Sequence, residues 1–271
     1  MKSGGHGGGD VAGVERALQL VIDSGHAERA PRAAFNLGVL REDRGDFAGA
    51  ERAYQLAIVS GHADQAPKAA VNLGVLREGR GDFAGAERAL QLAIDSGHAD
   101  MAPMAAVNLG VLRDDQFGAE RAYGLAIASG HADQAPKAAV NLGVLREGRG
   151  DCAGAEWAYQ VAIDSGHADL APQAGVNLGV LCHGRANFAG AERAFQFAID
   201  SGHADMAPKA AFNLGVLRED QGDLAGAEDA YQLAIDSGHP TAASFAREVT
   251  MQLRGHEDPP GATDATCRRT P

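Results

Sequence analysis

The chain has 271 residues, 45% hydrophobic and 22% charged, which supplies enough apolar material for a folded body and lies outside the composition of a disordered chain. Aromatic residues make up only 5% while Ala and Gly dominate, so close approach of backbones has to replace bulky side-chain filling. A formal net charge of −12 and a sequence pI of about 5.2 would repel a phosphate backbone, which argues against a nucleic-acid partner.

Met1 to Asp10 is Gly-rich with one Lys and no apolar run, so residues 1–9 read as a flexible leader and not as a signal peptide. Nowhere do roughly 18 apolar residues run together, and no membrane span is expected. Cys152, Cys182 and Cys267 stand at unrelated positions and read as free thiols in a reducing compartment, which makes the cytoplasm the expected location.

From there the chain is periodic. Ser-Gly-His recurs at Ser24, Ser60, Ser96, Ser129, Ser165, Ser201 and Ser237, at intervals of 36 residues with one of 33. The expected organisation is a half repeat over 10–30 and six repeats over 31–66, 67–102, 103–135, 136–171, 172–207 and 208–243. A closing helix over about 240–253 and a disordered tail over 254–271 follow.

The unit 67–102 shows the logic. Ala70, Leu73 and Leu76 fall on one face of a first helix, with Asp64 as its expected N-cap and Pro67 in its first turn. Gly79 to Asp82 breaks that helix. Asp82 is placed to cap a second helix, Phe83 to Asp95, whose Ala86, Ala89, Leu90, Ala93 and Ile94 form an apolar stripe, and Gly97 suits a left-handed C-terminal position. Neither helix can bury its stripe alone, so the pair must fold as a hairpin and stack on its neighbours. Gly74, Ala86 and Ala93 are small where the helices cross. In the 33-residue unit, Asp114 to Gly118 stands where the others carry Gly-Asp-Phe-Ala-Gly, which predicts a tighter turn and a frayed helix end.

These residues resemble the tetratricopeptide repeat, with a loop and period similar to its SEL-like relatives. The likeness rests on Asn72-Leu73-Gly74, Gly81-Asp82-Phe83 and Ala86, then on an aromatic residue or Leu (Tyr54, Leu90, Tyr123, Tyr159, Phe195, Tyr231) followed by Ala93-Ile94 and their equivalents. It spans Asp10 to about Leu253. It implies an all-α fold, a right-handed superhelical α-α solenoid of stacked helix-turn-helix repeats. There are departures. The first-helix aromatic is Ala34, Ala70, Ala106, Ala139, Gly175 or Ala211, and a later Tyr is Arg41, Arg77, Arg113, Arg146, Cys182 or Arg218, which should thin the core and weaken each repeat.

The resemblance also implies a non-enzymatic protein-interaction scaffold that binds an extended peptide along a concave face lined by first helices. Carried over by position, that face holds Asn36, Asn72, Asn108, Asn141, Asn177 and Asn213, whose amides both donate and accept as a peptide backbone requires. The alternative is that each Asn bonds within its own repeat. Phe35, Val71, Val107, Val140, Val176 and Phe212 would flank the series on one side, and Val39, Val75, Val111, Val144, Val180 and Val216 on the other, unless this second series only packs between repeats. Arg32, Lys68, Lys137 and Lys209 would mark one edge, and Glu42, Glu78, Asp114, Glu147 and Glu219 the other, as a polarised groove or as solvated faces.

The seven periodic histidines invite a metal site, but stacked repeats lie about 10 Å apart whereas zinc ligands lie about 2 Å from the ion. They are expected to close the loop after each second helix. No nucleophile-and-base pair and no phosphate loop departs from the repeat pattern, so neither a catalytic site nor a cofactor is expected. The partner is expected to be a protein or peptide. The alternatives are a self-assembling module, a homo-oligomer joined through the uncapped half repeat at Asp10, and a regulatory fragment of a larger protein.

Overall fold

The computed structural model describes residues 8–113 and 115–257. Residues 1–7 of the expected leader, residues 258–271 of the expected tail with Cys267, and Asp114 lie outside the described residues. Among those described, the chain forms helices and no strand, in two compact units, 1–145 and 146–271.

The first unit holds α1 (Gly8–Asp23), α2 (Arg29–Asp43), α3 (Phe47–Val59), α4 (Gln65–Gly79), α5 (Phe83–Asp95), α6 (Met101–Leu112) and α7 (Gln116–Ala128), with α8 (Gln134–Gly148) running across the boundary. Helices alternate. The first helices α2, α4 and α6 pack side by side, and each also packs on the second helix that follows it. The second unit continues with α9 (Cys152–Asp164), α10 (Leu170–Gly184), α11 (Phe188–Asp200), α12 (Met206–Asp220), α13 (Leu224–Asp236) and α14 (Pro240–Glu257), and there α10, α12 and α14 lie in sequence beside one another. Arg247, Glu248 and Gln252 are exposed on α14.

Second helices are capped as their sequence requires. Asp82 accepts the Gly85 N–H at 2.9 Å, and Asp46, Asp115, Asp151, Asn187 and Asp223 accept equivalent bonds. A Cβ on Gly85 would overlap the Asp82 carboxylate, so glycine there is part of the cap. Ser96 and Gly97, the latter at φ +64°, end α5.

First helices are capped differently from the expectation. Asp64 lies in helical backbone conformation, and its side chain accepts no capping bond. The acceptor comes from two residues earlier, where His62 Nδ1 takes the N–H groups of Asp64 and Gln65, both at 3.2 Å. His98 does the same for Asp100 and Met101. The histidines therefore close the loop, as expected, by serving as caps.

The core is alanine-rich, with Tyr54, Leu90, Tyr159, Phe195 and Tyr231 fully buried among Ala side chains. Each large side chain lies over the signature glycine of its repeat. A Cβ on Gly74 would come within 2.8 Å of Leu90, and one on Gly110 would overlap the Tyr123 ring. Such rings explain how backbones can approach closely without leaving a void.

The Arg series does more than replace an aromatic. Arg77 donates to Glu51 of the preceding repeat, and its Nη1 reaches the Gly85 carbonyl at 3.2 Å. Arg41 joins Glu15 and Gly49 in the same way, and Arg218 joins Glu192 and Gly226. One guanidinium thus holds three helices, a tether whose signal in the sequence is a Glu 26 residues before the Arg and a Gly 8 residues after it.

The short unit shows the expected frayed end. Whereas α4 has 15 residues, α6 has 12 and gives way to extended backbone at Arg113.

Candidate functional site

On each first helix the candidate side chains form one stripe. Lys68, Asn72, Val75 and Glu78 are spaced by four, three and three residues, which places them on a single face of α4. The corresponding stripes are Arg32, Asn36, Val39 and Glu42 on α2, Met104, Asn108 and Val111 on α6, and Lys137, Asn141 and Val144 on α8 within the first unit. Because α2, α4 and α6 lie side by side, like residues line up in rows across the repeats. The second unit carries Asn177 and Val180 on α10 and Asn213 and Val216 on α12.

The two valine series have different fates. Val75, Val111 and Val144 are 47%, 60% and 54% exposed, and Val180 is exposed as well. Val71, Val107 and Val140 are buried, with Val71 packed in the cluster that holds Leu90 and Leu109. The expectation of apolar flanks on both sides of the Asn series is corrected accordingly. Val71, Val107 and Val140 sit one position before the Asn, on the side that faces the neighbouring helices, and they join repeats. Phe35, Val176 and Phe212 are partly buried, and Phe212 packs on Tyr231 with ring centroids 5.7 Å apart.

The amides also differ. Asn72 Nδ2 donates to the Tyr54 hydroxyl at 3.4 Å, and Asn141 bonds Tyr123. Asn36, Asn108, Asn177 and Asn213 make no side-chain hydrogen bond among the described residues. Asn36 is exposed and the other five are partly exposed.

The charged rows are not the free edges of a polarised groove. Lys68 pairs with Asp64 at 2.7 Å and Lys209 with Asp205 at 2.8 Å, while Arg32 and Lys137 are exposed. Glu42, Glu147 and Glu219 accept the hydroxyls of Tyr54, Tyr159 and Tyr231 at 2.6, 2.7 and 2.8 Å. Burial, followed by these carboxylates, pushes the three phenols well above their ordinary value, so they stay protonated and donate. Glu78, opposite Leu90, makes no side-chain hydrogen bond or ion pair among the described residues.

The histidine Nε2 atoms reach back one repeat. His62 meets Glu28 at 3.1 Å, His98 meets Asp64 at 3.4 Å, His203 meets Asp169 at 3.2 Å and His239 meets Asp205 at 2.7 Å. Each links a cap to the previous cap. Among the described residues no group of three or more His, Cys, Asp or Glu is placed to hold a metal ion. Cys182 is buried, and that burial pushes its thiol above the ordinary value.

Comparison with known proteins follows this geometry. The tetratricopeptide repeat family model matches residues 9–70 and 184–243. Over those two stretches the chain matches tetratricopeptide repeats. It is similar to the C-terminal part of a TPR repeat-containing protein from Cytophaga hutchinsonii, with a TM-score of 0.62 and 12% identity over 88% of this chain and 94% of that one. It is also similar to PilW, a widely conserved type IV pilus biogenesis factor, with a TM-score of 0.53 and 12% identity over 80% of this chain and 98% of that one. At these identities the likeness concerns the fold, an all-α helical-repeat solenoid. No curated protein matches the sequence.

Proposed function

We propose that this protein is a non-catalytic scaffold that binds an extended polypeptide segment across its first helices. Tetratricopeptide repeats support a role in protein interaction generally. The observation that carries the finer reading is the pairing, in four of the six repeats, of a partly exposed Asn amide with an exposed Val one helical turn away, at Asn72 with Val75, Asn108 with Val111, Asn141 with Val144 and Asn177 with Val180. Amides without an internal partner, such as that of Asn108, can satisfy a ligand's backbone, while the valines give it apolar surface to cover. Asn36, Asn72, Asn108, Asn141, Asn177 and Asn213 form the contact series in this reading. Val75, Val111 and Val144 add apolar contacts, with Lys68 and Lys137 at the rim. No helix among the described residues is long and apolar enough to cross a membrane. The free-thiol pattern and acidic charge favour a cytoplasmic protein with a protein partner over one with nucleic acid.

The test is a partner captured on the immobilised chain, identified by mass spectrometry and then titrated. Asn108→Ala combined with Asn141→Ala should weaken its affinity about tenfold, and unchanged affinity removes the reading.

A second reading, self-association, is favoured by one observation. Val14, which occupies the position of the buried Ala50, is 47% exposed, and with Leu18, Phe35, Val39 and Leu40 it lines a groove between α1 and α2. Light scattering over a dilution series decides it, since a monomer at every concentration excludes it.

A further inference from the structure

The rows on the first unit constrain the conformation of the ligand as well as its location. Val75, Val111 and Val144 recur once per repeat, each three residues after an Asn on the same helix face. α4 and α6 lie side by side, and helices so packed are separated by about 8–10 Å, so the rows of Val75 and Val111 are set apart by about that interval. A β-strand places side chains on one face about every 6.8 Å, and its next repeat comes near 13 Å. A polyproline II segment turns once every three residues and rises about 9.3 Å per turn. Only the second spacing matches that of the valines. Its backbone makes no internal hydrogen bonds, so a carbonyl in each turn is available to the Asn row that adjoins the Val row.

Charge adds a second constraint. The cationic row of α4 is neutralised, because Lys68 is held by Asp64 at 2.7 Å. Beyond the valine row Glu78 has no side-chain partner among the described residues, so that side of the ligand meets net negative charge.

We infer, resting on the scaffold reading above, that the partner segment is a polyproline II stretch with an aliphatic side chain at every third position and basic residues between. The aliphatic side chains lie along Val75, Val111 and Val144, and the carbonyls of the same turns face Asn72, Asn108 and Asn141. The basic residues face Glu78.

The experiment is fluorescence anisotropy on the full chain with three labelled peptides. The first is (Val-Lys-Pro)4, the second a permuted peptide of the same composition without a three-residue period, and the third (Val-Glu-Pro)4. The first should bind at least fivefold more tightly than either control. Val111→Asp and, separately, Val75→Asp, both at exposed positions, should each reduce its binding at least fivefold. If the permuted peptide binds equally well, the three-residue register is overturned. The scaffold reading still stands in that case, provided the Asn108→Ala and Asn141→Ala pair weakens binding of the captured partner. Equal binding of the Glu peptide overturns the basic character of the ligand. Failure of all three peptides, or indifference to both Val substitutions, overturns the inference as a whole.

Discussion

The repeats 67–102 and 103–135 adjoin in the first unit and differ by three residues, and their contrast separates what the fold needs from what it tolerates. Both keep the Asp cap, since Asp82 and Asp115 each accept the N–H of a glycine three residues on. Both keep the Arg link to the preceding repeat, from Arg77 to Glu51 and from Arg113 to Glu87. What the short unit loses is the end of its first helix and, with it, the second half of the tether. Arg77 also reaches Gly85, whereas the Arg113 Nε is buried without a hydrogen-bond partner. The cap and the inter-repeat ion pair are thus anchored to the Asp-x-x-Gly register and survive the deletion, while contacts that depend on helix length do not.

The comparison breaks most visibly at the signature glycines. In the short unit Gly110 faces the rigid ring of Tyr123, while in the regular unit Gly74 faces Leu90, whose branched end can move. Gly110→Ala should cost about 2 kcal/mol through overpacking, measured as a shift of the urea unfolding midpoint. Gly74→Ala should cost much less, because Ala recovers about 1 kcal/mol of helix propensity over Gly while Leu90 shifts aside. Equal losses would mean that the aromatic or leucine on the glycine does not set the packing.

The tether provides the next test. Arg77→Ala removes bonds to both Glu51 and Gly85 and should cost about 1.5 kcal/mol, whereas Arg113→Ala loses one ion pair and relieves a buried, unpaired Nε, and should cost about 0.5 kcal/mol. Amide hydrogen exchange of α5 and α7 would report each loss in its own repeat.

A smaller effect sharpens the site. The Asn108 side chain has no hydrogen-bond partner among the described residues and Asn is a mediocre helix former, so Asn108→Ala should leave stability unchanged or raise it by about 0.5 kcal/mol in thermal unfolding. Asn72→Ala, which removes a long bond to Tyr54, should gain less. A loss of ligand affinity in Asn108→Ala would then be a loss of contact, with the fold intact.

Much of this was legible in the sequence because the repeat multiplies each signal. The helix pairs, the Asp82 cap, the left-handed Gly97 and the small residues at crossings all follow from local chemistry read in one repeat after another. The first-helix cap was misread because Asp64 is a good capping residue by type, and only three-dimensional structure shows it already in helical conformation with a histidine ring in the acceptor's place. The Arg tether was missed because its partners lie 26 residues back and 8 ahead, a spacing that has meaning only once repeats are stacked. The two valine series were indistinguishable by composition. Which one faces a neighbouring helix depends on the angle at which the hairpins pack, and no single helix encodes that.

The smallest expected effect concerns acid. Asp64 is held below the ordinary carboxylate value by the hydrogen bond from Lys68, with a further bond from His98, whereas Asp100, the corresponding residue of the short unit, has Met104 where Lys68 would be. A carboxylate whose folded pKa is depressed binds fewer protons folded than unfolded. Its contribution is therefore fully present above the unfolded value of about 3.9 and is lost as pH falls through the lower folded value. Asp64→Asn should flatten the acid limb of the stability curve below about pH 4 and leave neutral pH little changed, because the group is exposed and screened. Met104→Lys should steepen that limb by giving Asp100 a lysine partner beside His131, whose Nε2 already lies 3.5 Å from it. If Met104→Lys leaves the acid limb as it was, the clasp depends on His98 and the helix end more than on lysine, and the difference between the two repeats at this position carries no stability.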